Sequence, residues 1–279
     1  MNKKIYNILT VFFIVVLVCS STVLAIRFND YKKGGNDYSE AEKLVKIETP
    51  VKAAESKKQS SEVAPAASIP DAASSEKETK SEPDEYSAAL ASMDFQSLSD
   101  INSDVFGWIY IPDTNISYPL VRGTDNSKYL NRTYKNTKSA VGSIFEDYRN
   151  KTDMSDFHTV IYGHKLNNGT MFSALTKYIK QDFFSAHPYF YINTKDGCYK
   201  YAVYSAYVGT WTDEGYTLDF SRDAGKETYI NDMCAASQVS TNVVPDKNQN
   251  LVTLSTCTNR EKSQRMLVHG VLVEFEPKK

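Results

Sequence analysis

Several features that mark common function classes are missing or scarce in this chain. It has no excess of positive charge: 32 Lys and Arg stand against 34 Asp and Glu, a formal net charge of -2 over 279 residues. Near balance argues against an electrostatic nucleic-acid binder, which would carry a basic excess or stripe. It has four cysteines, Cys19, Cys198, Cys234 and Cys257, with no C-x-x-C pair and no Cys/His cluster of zinc spacing. So few cysteines in so long a chain do not make a disulfide scaffold. Because Cys19 lies in a hydrophobic run, at least one of the other three is free or pairs between chains. No aromatic occurs between Tyr38 and Tyr86, and no internal repeat of about 20 to 50 residues is evident.

What is present divides into three unlike segments. Ile5 to Ile26 is a run of 22 residues without charge. As a helix it spans about 33 Å, enough for a hydrocarbon core of about 30 Å. Lys3 and Lys4 precede it, so the expected orientation places the N-terminus in the cytoplasm and the rest outside. A cleaved signal peptide would use Val23-Leu24-Ala25 as its processing site, but the run is long for that, and an uncleaved anchor over residues 1–27 is expected. Val18 before Cys19 is not the small residue lipoprotein processing needs, so Cys19 reads as a small hydrophobe in the membrane. Residues 28–85 are rich in Lys, Glu, Ser, Ala and Pro, and Pro50, Pro65, Pro70 and Pro83 would interrupt a helix. With so little apolar surface to offset the entropy of ordering, a disordered extracellular stalk is expected.

The third segment, residues 86–279, holds enough apolar and aromatic residues for one sizeable core. Tyr86 to Leu98 has helical apolar spacing. Eight stretches then read as strands: Trp108 to Ile111, Ile116 to Val121, Gly142 to Phe145, Thr159 to Tyr162, Tyr189 to Ile192, Tyr199 to Val208, Leu251 to Ser255 and Met266 to Phe275. Met171 to Tyr178 and Ala224 to Ala236 read as helices, the latter between the sixth and seventh strands. A mainly β fold of largely antiparallel strands with peripheral helices suggests a closed barrel, although strand spacing alone does not separate a barrel from a sandwich.

Cys257 ends the apolar run Leu251-Val252-Thr253-Leu254-Ser255-Thr256-Cys257. A nucleophile at a strand terminus is held by rigid backbone while its tip reaches a cleft, although a lone cysteine is more often an inert buried one. His164 ends a second apolar strand, Val160-Ile161-Tyr162-Gly163-His164, by the same logic. His158 precedes that strand in a polar turn, His187 sits before Pro188 in a loop, and His269 lies inside the last strand. A returning strand would bring Arg265, eight residues after Cys257, beside it, where a permanent cation favours a thiolate or an oxyanion. Arg260 competes for that role, and a solvated strand-end arginine is the plainer alternative.

Together these residues resemble the sortase family, the cysteine transpeptidases of Gram-positive cell surfaces. Thr253-Leu254-Ser255-Thr256-Cys257 with Arg265 looks like the family's T-L-x-T-C…R signature, and Tyr162-Gly163-His164 like its histidine motif. The resemblance covers roughly residues 87 to 279. Asn126-Ser127-Lys128-Tyr129-Leu130, Gly142-Ser143-Ile144-Phe145 and the helix before the seventh strand look like class B. An aromatic Asp-Pro-Trp lid motif of class C is absent. The resemblance implies an eight-stranded sortase barrel over residues 86–279, with Cys257, His164 and Arg265 as catalytic residues. It further implies that Asn126, Leu130, Ser255 and Thr256 line the groove for the sorting signal, while Thr258 stands where class B often has an acid. The implied partners are surface proteins with an LPXTG- or NPQTN-like C-terminal signal, a lipid II-type peptidoglycan-precursor amine, and the membrane; a pilin-polymerising role is the neighbouring possibility. No cofactor or metal is expected.

Two rivals come from other classes. An L,D-transpeptidase or a Cys/His endopeptidase of the wall would place its Arg close behind the Cys, or its Cys before its His; here His164 comes first and Arg265 is eight away. A membrane-tethered β-barrel binding module would make Cys257 structural and tolerate its loss.

Overall fold

The computed structural model describes residues 3–45, 84–220, 223–258 and 261–278. Eight strands form it: β1 (Val105–Tyr110), β2 (Ser117–Arg122), β3 (Ile144–Glu146), β4 (His158–Tyr162), β5 (Tyr189–Thr194), β6 (Gly197–Thr210), β7 (Leu251–Cys257) and β8 (Gln264–Pro277). They close into a barrel in the order β1-β2-β3-β4-β7-β8-β6-β5, which removes the exposed edges such apolar strands would otherwise present. Around it lie α1 (Lys3–Val45), α2 (Glu85–Ala91), α3 (Gln96–Ile101), α4 (Gln181–Ala186) and α5 (Asp223–Ala236). All eight expected strands are present. Phe172–Lys177 is a 3-10 helix, and α4 was not anticipated.

Strand direction departs from the antiparallel expectation at two places. β2 runs parallel to β3, and β4 runs parallel to β7. Apolar periodicity reports which residues face a core, not which way a strand runs; parallel neighbours need long crossovers, and β4 and β7 are separated by the whole β5–β6 hairpin and α5. Two parallel neighbours finish at the same end of the barrel.

The barrel interior is filled by Ile109, Leu120, Ile144, Phe190, Tyr201, Val252, Leu254 and Val268, all buried. A second cluster lies under α5, where Tyr229, Ile230 and Met233 cover Tyr204, Tyr207, Leu251 and Leu267. Residues Tyr86 to Leu98 are two helices rather than one. α2 starts on an Asp84 carboxylate that accepts from the Ser87 N–H at 2.7 Å, and Asp94 accepts from the Gln96 N–H at 2.9 Å as α3 begins. Each Asp offers an orphan N–H a partner, so the chain restarts instead of continuing.

The N-terminal segment needs a correction. Residues 28–45, expected as the start of a disordered stalk, continue α1 and pack on the barrel. Gly34, Tyr38, Ala41 and Val45 are buried at spacings of four, three and four, the stripe of a helix with one face covered. The Tyr38 hydroxyl donates to the Gly142 carbonyl oxygen at 2.5 Å, and its ring meets Tyr118 edge-on at 5.4 Å. Lys135 pairs with Glu40 at 2.7 Å and Asp37 at 3.4 Å. The stripe was hidden because the Lys and Glu between its members lower the average hydropathy. Stalk residues 46–83 and Arg260 lie outside the described residues.

Candidate active site

The β4, β7 and β8 ladders bring the expected reactive residues together. β4 and β7 are parallel with Tyr162 opposite Ser255, and the Gly163 N–H donates to the Ser255 carbonyl oxygen at 3.1 Å. His164 follows by two residues on one strand and Cys257 by two on the other. β8 returns antiparallel, with Arg265 opposite Cys257. All three residues therefore stand at one end of the barrel, on neighbouring strands about 4.8 Å apart. A groove of about 510 Å³ opens there, lined by His164, Cys257 and Arg265, by Asn126, Leu130, Ser255 and Thr256, and by Phe145, Arg149, Tyr162, Trp211 and Tyr216. Every expected site residue touches it. A slightly larger concavity of about 580 Å³ beside Lys165 and Lys177 holds none of them, so size alone does not pick the site.

Cys257 is part-exposed. The other cysteines are also free, and burial pushes the Cys198 thiol far up, making it inert. His164 is fixed by the Leu130 carbonyl oxygen, 2.5 Å from Nε2. A carbonyl only accepts, so Nε2 carries a hydrogen, and Nδ1 is the nitrogen left to take up or release a proton. Gly142 makes this arrangement possible: it sits at φ +65°, and a Cβ there would lie 2.6 Å from the His164 ring. Arg265 is steadied through Nη1, which donates to the Lys262 and Gln264 carbonyl oxygens at 2.8 and 2.9 Å.

The four expected substrate-side residues behave differently. Leu130 presents a half-exposed side chain to the groove and its backbone to His164. Ser255 shares a 2.7 Å hydrogen bond with the Tyr216 hydroxyl. Thr256 touches the groove, but alternation along β7 turns its side chain to the barrel interior, where its hydroxyl is buried without a partner. Asn126 is occupied within the protein, its Nδ2 donating to Asp147 at 2.8 Å and its Oδ1 accepting from the Tyr148 N–H at 3.0 Å. Arg149, Trp211 and Tyr216 were not singled out from sequence. Trp211 follows β6 and is 65% exposed; a tryptophan just past a strand end was the one signal available.

The other histidines are elsewhere. His158 is not in a polar turn: it begins β4, buried beneath α5, with Nδ1 donating to the Thr217 carbonyl oxygen at 2.6 Å and Nε2 2.7 Å from the Thr253 hydroxyl. That hydroxyl also lies 2.7 Å from His269 Nδ1. Burial lowers His158 to about 4 and His269 well below its ordinary value, so both are neutral. His187 is held by the Pro112 carbonyl oxygen, 3.0 Å away.

Comparison with known proteins places this geometry. The family model described as Sortase domain matches residues 109–273. Sortase B of Listeria monocytogenes is 37% identical over 183 residues, which span 64% of this chain and 74% of that protein. The structure of a Staphylococcus aureus sortase B–substrate complex superposes with a TM-score of 0.62 at 32% identity, over 64% of this chain and 84% of that one. Sortase B from Bacillus anthracis gives a TM-score of 0.67 at 29% identity, covering 88% of this chain and 99% of that one.

Proposed function

The chain belongs to the sortase family, on its class B branch, and is a cysteine transpeptidase; from that premise we propose that it joins surface proteins to a cell-wall amine through a thioester on Cys257. The Cys257 sulfur attacks the Thr carbonyl carbon of an LPXTG- or NPQTN-like sorting signal. A tetrahedral oxyanion forms, the carbon–nitrogen bond breaks, and the departing amine takes a proton from His164. The incoming amine of a lipid II-type precursor then attacks the thioester, gives its proton to His164, and releases the sulfur. Arg265 donates to the oxyanion, a contribution of about 3 kcal/mol in the transition state. Leu130 and Ser255 contact the signal peptide, Thr256 shapes the groove from behind, and Asn126 braces its wall.

The observation that carries this reading is the shared strand end: parallel β4 and β7 deliver His164 and Cys257 to one groove, and β8 returns Arg265 beside them. Residues 5–26 lie in the bilayer with the barrel outside the cell, in keeping with a helix long and apolar enough to cross a membrane by length and composition. Residues 1–27 are the anchor and 86–279 the catalytic domain, while residues 28–45 belong with the barrel they pack on.

The test uses the full chain in detergent micelles with fluorescence-quenched peptides bearing LPXTG-, NPQTN- and related signals. Cleavage after Thr, abolished in Cys257→Ala, is expected. A Cys257→Ala protein that cleaves as well as the unsubstituted one would overturn the assignment.

A further inference from the structure

The groove has a wall that no part of the chemistry above uses. It is built from the β2–β3 connection, the turn after β3 and the end of β4, and one carboxylate lies behind it. Asp147 has no side-chain exposure. Its Oδ1 accepts from Arg149 Nε at 2.8 Å and from the Arg149 backbone N–H at 3.1 Å. Its Oδ2 accepts from Arg149 Nη2 at 2.9 Å, Asn126 Nδ2 at 2.8 Å and the Tyr162 hydroxyl at 3.0 Å. The three side chains it gathers, Asn126, Arg149 and Tyr162, come from separate segments, and all three line the groove.

We propose that Asp147 is a positioning residue that locks Arg149 as a second fixed guanidinium of the groove, where Arg149 binds backbone carbonyl oxygens of the sorting-signal peptide. A guanidinium has five N–H donors in a rigid fork. Asp147 takes two of them in a bidentate pair, which fixes the plane of the group. Those on Nη1 stay free among the described residues, and the Arg149 side chain is 51% exposed at the groove. A bound extended peptide offers acceptors in that setting and no anion of its own is required. Arg265 is engaged differently, through backbone carbonyls at the nucleophile's side, so the two cations hold the peptide from different strands. Burial alone would raise the Asp147 carboxyl; the hydrogen bonds from Arg149 and Asn126 outweigh it and hold the group below its ordinary range. It is therefore ionised whenever Arg149 needs its partner.

This rests on the peptide-cleaving reading of the groove, and the test separates the two. Full-length protein is assayed with the best peptide of the panel, reading kcat and KM separately, with thermal unfolding and the rate of Cys257 alkylation as controls. Arg149→Gln, a half-exposed position, is expected to raise KM about tenfold, the loss of one or two charge-assisted hydrogen bonds, with kcat and alkylation little changed. Asp147→Asn is expected to raise KM similarly, and the double variant no further, because both changes remove one unit. Arg149→Lys should recover only part of the loss, since an ammonium cannot reproduce the fork. An unchanged KM in Arg149→Gln overturns this inference while leaving the cleavage reaction intact. So does a double variant whose KM rises as the product of the single effects. If Asp147→Asn fails to fold, Arg149→Gln and Arg149→Lys decide alone. Unsubstituted protein that cleaves no peptide overturns the reading of the groove, and this inference with it.

Discussion

β4 carries a histidine at each end of its span, and the two live in opposite worlds. His158 opens the strand under α5, enclosed by Tyr229, Phe220 and His269 and bonded to Thr217 and Thr253. His164 lies just past the other end, on the rim of an open groove, with only one ring nitrogen tied down. Both neighbour β7, and both are placed by the same parallel ladder. What separates an enclosed imidazole from one placed to exchange a proton is therefore not residue type or strand, but whether a nitrogen is left facing open space. β3 repeats the contrast one residue apart. Glu146 is buried on the barrel side with both oxygens unpartnered, whereas Asp147 faces the groove wall with every oxygen engaged.

The sharpest way to test that contrast is to exchange the two histidines' fates. His164→Ala is expected to lower kcat/KM by about a thousandfold while leaving the unfolding temperature nearly unchanged. His158→Ala should do the reverse, costing about 2 kcal/mol of stability through the orphaned Thr217 and Thr253 groups and leaving the kcat/KM of the folded fraction close to normal. Peptide cleavage and urea unfolding on both variants settle it; a large activity loss in folded His158→Ala would erase the distinction. Arg265→Gln is a milder break at the groove end, with an expected loss of about a hundredfold in kcat and little in KM.

The smallest effect is in the pH dependence of stability. An unfolded histidine takes up its proton below about pH 6.5, while buried His158 resists protonation down to about 4 and His269 further. The unfolded chain then binds more protons, so stability present above that range falls as pH drops from 6.5 toward 4. Glu146 works in the opposite sense. Burial raises it to about 8, so the unfolded chain loses its proton first, and stability present below about pH 4.5 is lost as pH rises toward 8. Urea midpoints across pH 4 to 9 should show both slopes, and Glu146→Gln should flatten the alkaline one and steepen the acid one, since the two contributions oppose each other between about pH 4.5 and 6.5.

Much of this was legible in the sequence, and the division has a physical basis. That Cys257, His164 and Arg265 would share one cleft was legible because each lies at or just past an end of an apolar strand, and strand ends are where side chains meet a cleft. The eight strands were visible for the same reason. The Asp147–Arg149–Asn126 wall was not, because its contacts join segments distant in the chain and rest on polar residues without periodic signature. Strand direction at β4 and β7 was likewise hidden, since alternation reads the same both ways. Gly34, Tyr38, Ala41 and Val45 did carry a helical repeat, diluted by the charged residues between them.

That stripe changes what the segment after it does. Ile26 and Tyr38 lie on one unbroken helix, so about 18 Å of rigid rod separates the end of the uncharged run from the contact with Gly142. On the proposal that residues 5–26 lie in the bilayer, the rod would set the altitude of the groove above the lipid, much as a leg sets the height of a table. Val45 and Asp84, the described residues that flank the next segment, both rest on the barrel.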